Sequence, residues 1–514
     1  MTNSVLRFFY VRTKTLLLNL PVFHFHLFMY FSAAKSQNMK KALIVVIILN
    51  ILRLAFMPFI GLTPQESYYA YFADHLSLSY YDHPPLVGYT IWLFMSVFGH
   101  NMFAVKFASF LITLLAQLAF FALASQVLRS DRKYLAWIIF CTSMLVTSLS
   151  LQNCPDVVLT LFWTLSIWAL YRAIFNGENR FWIYAGLFMG LAFDSKFTAI
   201  GLPAGLLLFL LFSGRYRHLL AKPWPYIAIG IMLLLALPVL IWNAQNEFVS
   251  FRLDSVLRAE PFDSDTPQNI FQFVLSQIII LMPVLFVGLW WLFGKYLWRI
   301  VTKPNQTNPE IWFLFCFFMP IFMGVYLVSI FGEVKYNWLI PTYISGIVLM
   351  ARFLKMRWQK WHWISTSVLY AVCIYYIVLA PQSAFVKYDL GLDSKQLADE
   401  VAEIHAANPG TFVFATDGYK TASKISFYST DTIYGPQIID QTPYHFGYVG
   451  LDTKQLTGKD GILVKPRLNS STPFHLIVPY FDEVKKVRSI KVAGLPAYDV
   501  FYCVGYKGVA QNND

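Results

Sequence analysis

Gly61-Leu62-Thr63-Pro64-Gln65-Glu66-Ser67-Tyr68-Tyr69, taken up again by Ser79-Tyr80-Tyr81-Asp82-His83-Pro84-Pro85-Leu86, follows directly on an apolar run from about Ala42 to Ile60. Two carboxylates and a histidine thus gather where the chain leaves its first lipid-compatible segment. Charge is expensive in hydrocarbon, so ionisable groups collected at a bilayer surface point to function.

The rest of the chain supports the premise that it lives in lipid. Of 514 residues, 57% are hydrophobic and only 13% charged, against roughly 25% charged in a soluble domain. Apolar runs of about 17 to 25 residues recur from Ala42 to Ala380, the length that crosses about 30 Å of hydrocarbon. Barrel strands alternate apolar and polar residues, and these runs do not, so the chain reads as a polytopic α-helical membrane protein. The formal charge of +12 sits in short loops between apolar runs, the cytoplasmic-loop pattern and not a nucleic-acid face. Cys141, Cys154, Cys316 and Cys373 lie in or beside apolar runs, and Cys503 is alone in the polar tail. No disulfide within the tail and no metal-ligand spacing follows from them.

Loop charge sets an expected topology. Met39-Lys40-Lys41 reads as a natural start with its lysines inside, which leaves residues 1–38 as an N-terminal extension from an upstream start or as an additional helix over Leu16 to Ala34. The basic loops at Arg129 to Lys133, Arg180, Arg215 to Lys222, Lys295 to Lys303 and Arg352 to Lys360 then fall inside. Pro155-Asp156, Asp194-Ser195-Lys196, the stretch 243–269 and Gly332 to Asn337 fall outside. Spans are expected near 42–60, 103–127, 134–151, 156–175, 181–194, 197–213, 226–243, 271–293, 311–330, 338–351 and 361–380, about eleven in all. The count becomes about 12 or 13 if the N-terminal run and Pro84 to Phe98 also cross. Opening on two prolines and short, Pro84 to Phe98 reads instead as an interfacial helix. Residues 39–380 form the membrane domain, with 61–100 as its first outer loop. From 381 to 514 composition turns polar, with a helix at Leu397 to Ala407 and strands at Thr411 to Ala415 and His475 to Val478, a small extracytoplasmic α/β domain.

The outer-face groups can be read one by one. A loop glutamate is ordinarily a solvated surface charge, but Glu66 stands at the lipid boundary with Asp82 and His83 in the same loop, and Pro84-Pro85 stiffens its exit. A carboxylate so placed can take the proton of an attacking hydroxyl, its proton affinity tuned by burial. Asp156 opens a helix, where the dipole alone would favour an acid. Lys196 can snorkel to the interface, yet a cation there also suits a lipid phosphate. Trp242 and Trp338 read as interfacial anchors.

In order, these segments resemble the GT-C glycosyltransferases, in the bacterial branch of lipid A aminoarabinose transferases and protein O-mannosyltransferases. That branch carries an acidic pair opening a tyrosine-rich helix, then an aromatic-acid-basic-Pro-Pro-Leu element. Here these read Gln65-Glu66-Ser67-Tyr68-Tyr69 and Tyr81-Asp82-His83-Pro84-Pro85-Leu86. The first acid of the pair is replaced by Gln65, so the resemblance passes the base role to Glu66, with Asp156 and Asp82 as further catalytic carboxylates. The basic position, a lysine on the donor phosphate in aminoarabinose transferases, is His83, a cation only when protonated. Lys196, Arg258 and Lys335 complete the implied phosphate site, and Gln65, Tyr68, Tyr69 and Asn337 line the implied cavity. Pro238 to Asn243, Glu247 to Phe251 and Glu333 to Trp338 match further family segments.

No nucleotide-binding fingerprint or zinc signature is present, so the sugar is expected on a lipid carrier. The resemblance implies an inverting transferase of the bacterial inner membrane, with site and tail facing the periplasm. Its donor would be a polyprenyl phosphate-linked sugar (undecaprenyl phosphate) and its acceptor a lipid or glycolipid such as lipid A. Sugar identity, oligomeric state and use of a divalent metal stay open at this point. The alternatives are transfer to protein Ser/Thr hydroxyls and, in another class, a transporter or flippase of lipid-linked sugars. A transporter would show charged residues near the bilayer midplane and internal pseudo-symmetry, neither visible in the sequence.

Overall fold

Where no water can satisfy the backbone, apolar sequence must close its own hydrogen bonds as helix. The computed structural model obeys that rule and describes residues 37–252, 266–302, 308–331, 334–379, 390–467, 472–492 and 494–509. The extension expected at 1–38, except its last two residues, and Arg258 lie outside the described residues.

The chain runs through α1 (Gln37–Phe56), α2 (Pro64–Asp74), α3 (Leu86–Phe98), α4 (Met102–Val127), α5 (Arg132–Thr142), α6 (Met144–Leu151), α7 (Pro155–Phe175) and α8 (Arg180–Phe193). It continues through α9 (Gly201–Phe212), α10 (Trp224–Gln245), α11 (Thr266–Thr302), α12 (Pro309–Val328), α13 (Ile340–Phe353) and α14 (Met356–Ile374). Among the described residues six helical segments are long and apolar enough to cross a membrane: Gln37–Phe59, α4, α7, α10, Pro267–Arg299 and α12. The pair α5–α6, bent by 51°, makes a seventh if it is one span. The eleven expected spans are therefore not matched by full-length helices. The difference lies in short elements such as α8 and α13, whose 14 residues reach only about 21 Å. At 13 residues α3 is shorter still, in keeping with the interfacial helix expected there.

Burial separates lipid-facing from bundle-facing surfaces. On α1, Ile44, Ile47, Ile48, Ile51 and Leu52 are exposed, while Asn50 and Arg53 point inward. Asn50 exchanges amide hydrogen bonds with Gln117 of α4 at 2.9 and 3.0 Å. Arg53 donates to the Cys141 carbonyl and, at 2.8 Å, to Thr147 Oγ1. That carbonyl belongs to the last turn of α5, where Ser143 turns extended and caps α6 through Val146 N at 3.3 Å. The bent span thus borrows its missing backbone partners from side chains of neighbouring helices.

Beyond residue 390 lie α15 (Ser394–Ala406), β1 (Phe412–Phe414), α16 (Lys420–Tyr428), β2 (Ile433–Tyr434), β3 (Gly461–Pro466), β4 (Glu483–Val492) and β5 (Leu495–Val504). The five strands form one sheet in the order β2-β1-β3-β5-β4. Pairs β1–β2 and β1–β3 are parallel, β3–β5 and β4–β5 antiparallel. One sequence expectation fails here. Residues 475–478 form two 3₁₀ turns and not a strand. Pro473 and Pro479 bracket the segment and each removes a ladder donor.

The α/β unit seats directly on the first loop. A Cβ on Gly61 would stand 2.1 Å from the Gly391 carbonyl oxygen, and one on Gly391 (φ +67°) 1.9 Å from the Leu62 oxygen. Only glycine permits backbones this close, and only glycine adopts that φ without strain. Ser394 Oγ closes the seam on the Leu62 carbonyl at 3.0 Å.

Candidate active site

Thr63 and Pro64 start α2 for a local reason. Pro64 occupies the first turn, where its missing N–H costs nothing. Thr63 Oγ1 accepts from Glu66 N at 3.3 Å, and the Glu66 carboxylate accepts from Thr63 N at 3.1 Å. Glu66 is therefore first a capping residue. Its carboxylate also accepts from Thr63 Oγ1 at 3.0 Å, from Asn153 N at 2.9 Å, and from Lys106 Nζ at 2.9 and 3.1 Å. Both Glu66 and Lys106 side chains are 0% exposed. Lys106 gives its remaining bond to the Leu151 carbonyl at 3.0 Å. This geometry departs from the base expected at Glu66: its oxygens are filled by fixed donors, and no surface is left for a substrate hydroxyl.

Gln65, one position earlier, is half-buried. Its Oε1 accepts from Gln152 Nε2 at 3.3 Å, and its side chain hydrogen-bonds Tyr419 of the α/β unit. The half-buried position of the pair is thus the one that carries an amide and not an acid.

Asp82 is the half-buried carboxylate of the loop. Tyr68 Oη donates to its Oδ1 at 3.2 Å. Burial raises its pKa to about 6, against the pull of the Lys335 ammonium and the Tyr68 hydroxyl, which favour the ionised form. His83 does not supply the cation expected of it. Burial first, then the positive charges of Lys196 and Lys335, push its pKa well below the ordinary imidazole value and keep the ring neutral. Its backbone serves the loop instead, with the His83 carbonyl accepting from Tyr80 N at 3.0 Å.

Asp156 lies in the first turn of α7, behind Pro155. Lys196 Nζ reaches both its oxygens at 2.8 and 2.9 Å, and Asn337 Nδ2 donates to Oδ2 at 2.6 Å. Three predicted residues from three distant segments thus meet on one carboxylate. Asn337 Oδ1, buried and without a partner, is the acceptor this cluster leaves over. Lys335 is exposed, near enough to Asp82 and His83 to act on both. Among the described residues no group of three His, Cys, Asp or Glu side chains is placed to hold a metal ion.

Tyr68 and Tyr69 are buried, and Tyr68 joins the two halves of the molecule. Its ring stacks on Tyr419 at 4.4 Å, and its hydroxyl accepts from His445 N at 3.0 Å. His445 is wedged against Tyr80 and Phe72 at 4.6 and 5.1 Å. Sequence reading missed Lys106 and this whole contribution of the α/β unit. A lysine inside the apolar run from Met102 to Val127 was the signal available for the first. Nothing local announces the second.

Residues 82–242 match the family of dolichyl-phosphate-mannose-protein mannosyltransferases. The lipid A galacturonosyltransferase RgtD of Rhizobium johnstonii is 22% identical over 72% of this chain and 78% of its own length. The undecaprenyl phosphate-α-4-amino-4-deoxy-L-arabinose arabinosyl transferase 2 of Proteus mirabilis is 28% identical over 48% of this chain and 45% of its own. The crystal structure of ArnT from Cupriavidus metallidurans in the apo state superimposes with a TM-score of 0.63 at 13% identity, covering 91% of this chain and 98% of that one. The form bound to undecaprenyl phosphate gives the same TM-score. In sequence and in fold the chain is similar to membrane glycosyltransferases. Each of the relatives named is a transferase by its name, one of lipid A and one of an undecaprenyl phosphate-linked sugar.

Proposed function

We propose that the protein moves a sugar from undecaprenyl phosphate to a lipid or glycolipid acceptor such as lipid A, at the outer face of the bacterial inner membrane. One observation carries this reading. Asp82, Lys335 and the Asp156–Lys196–Asn337 cluster converge where the apolar helices meet the α/β unit, so a lipid phosphate and a water-facing acceptor can reach one point. The names of the relatives, lipid A on one side and undecaprenyl phosphate on the other, support the same pairing.

In this reading the acceptor oxygen attacks the anomeric carbon and the bond to phosphate oxygen breaks in a single displacement. Asp82 takes the proton of the attacking hydroxyl, and Lys335 and Lys196 balance charge on the departing phosphate. Asp156 orients Lys196 and Asn337. Tyr68 holds Asp82 in place, and Gln65 and Tyr69 line the cavity. The test is mass spectrometry of lipid A and of periplasmic proteins from a deletion strain. Loss of one sugar mass from lipid A is expected. Loss from a periplasmic protein alone would establish the protein-hydroxyl alternative, which the mannosyltransferase family match keeps in view.

The orientation is tested separately. Alkaline phosphatase fused after Arg132, Lys222, Arg299 or Arg357 is expected to be inactive, and fused within residues 395–467 active. An active fusion at Arg132 would place α5 and the Asp156 cluster on the opposite face.

A further inference from the structure

Three tyrosines beside Asp82 have no part in the chemistry above. Tyr81 from the first loop meets Tyr444 and Tyr448 of the α/β unit, with ring centroids 5.9 and 5.7 Å apart. All three are half-buried, so each keeps part of its ring surface uncovered. Trp242, at the end of α10, backs Tyr448 at 5.5 Å and is itself buried. At the other end Tyr444 sets its edge on Tyr419 at 5.4 Å and on Tyr68 at 6.3 Å, the tyrosine that holds Asp82. Asp82 lies within electrostatic reach of Tyr444. The wall is therefore continuous with the reacting carboxyl and is built from three segments far apart in sequence. The three tyrosines are half-buried, and the tryptophan behind them is covered.

We propose that Tyr81, Tyr444 and Tyr448 form a saccharide-stacking subsite for the acceptor, so that the α/β unit selects a glycolipid headgroup over a bare lipid phosphate. A pyranose presents one face of C–H groups and a rim of hydroxyls. Aromatic rings with polar tips satisfy both, and few other surfaces do. The distance from the wall to Asp82, one tyrosine away, puts an acceptor hydroxyl next to the group that takes its proton. This inference rests on the glycolipid-acceptor reading given above.

The test uses the full chain purified into nanodiscs, with lipid A and phosphatidic acid as probes. Both carry acyl chains and phosphate, and only the first carries sugar. The wild-type protein is expected to bind lipid A at least about tenfold more tightly, the equivalent of about 1.4 kcal/mol. The paired substitution Tyr444→Ala with Tyr448→Ala is expected to lose that preference and keep phosphatidic acid binding. Tyr444→Phe with Tyr448→Phe retains the rings, and with them most of the preference, and guards against misfolding as the cause. A wild-type preference that survives in the alanine pair overturns the subsite and leaves the function reading intact. No wild-type preference at all overturns both.

Discussion

Asp82→Asn is expected to reduce sugar transfer by about a hundred- to ten-thousand-fold, the usual cost of removing a general base. Protein level and fold should be unaffected. The carboxyl is raised to about 6 from an ordinary 3.8, so the folded state binds its proton more tightly than the unfolded chain. Folding stability must then fall as pH rises from about 4 through 6, and the charge carries a cost at neutral pH. Asn removes that cost, so the variant should melt no lower than wild type while turning over far more slowly. The same shift predicts a kcat/KM that rises with pH through about 6. Lys335, Tyr68, Tyr69, Tyr419 and Tyr444 are the titratable groups facing Asp82. Lys335 favours the ionised carboxylate, so Lys335→Gln should move that rise to higher pH. A limb that stays in place would assign it to another group.

Glu66→Gln should fail in the opposite way, by losing folded protein. It leaves Lys106 as a buried ammonium facing a neutral amide, inside helices that exclude water. Breaking one partner of a buried pair costs about 3–5 kcal/mol, a large part of the stability of an ordinary domain. The seam is also lost locally, because the same carboxylate caps α2 and holds Asn153 N. Removing both charges in Glu66→Gln with Lys106→Met should restore much of the yield and, with it, transfer per folded molecule. Thermal melts and detergent-extracted yield check the first statement, and turnover per folded protein the second. Full yield with abolished turnover in Glu66→Gln would return the base role to Glu66.

These two substitutions mark where sequence reading holds and where it stops. The loop at 61–86 announces itself because charge beside an apolar run is rare enough to need a reason. Asp156 and Lys196 could be named for the same cause and Asn337 from the family resemblance, and the structure brings them together across 181 residues of chain between Asp156 and Asn337. Which of two nearby carboxylates is sealed and which is open depends on Lys106 from α4 and Asn153 from the turn before α7, and no local pattern encodes that pairing. The stack of Tyr68 on Tyr419 and the bond from His445 N bridge hundreds of residues, 377 in the second case. Helix existence followed from apolar length. Helix length did not, because segments with span composition such as α8 fold as helices of only 14 residues. The segment 475–478 has strand composition, and its flanking prolines decided otherwise.

The central claim is that a lipid-phosphate sugar and a lipid acceptor meet at Asp82. Its most direct test is the undecaprenyl phosphate released when purified full chain in nanodiscs is given lipid A and the lipid-linked sugar fraction of its source membranes. One undecaprenyl phosphate released per sugar gained by lipid A is expected from wild type, and almost none from Asp82→Asn at equal folded protein. Equal release by both proteins, or sugar gained with no carrier phosphate freed, would contradict the account.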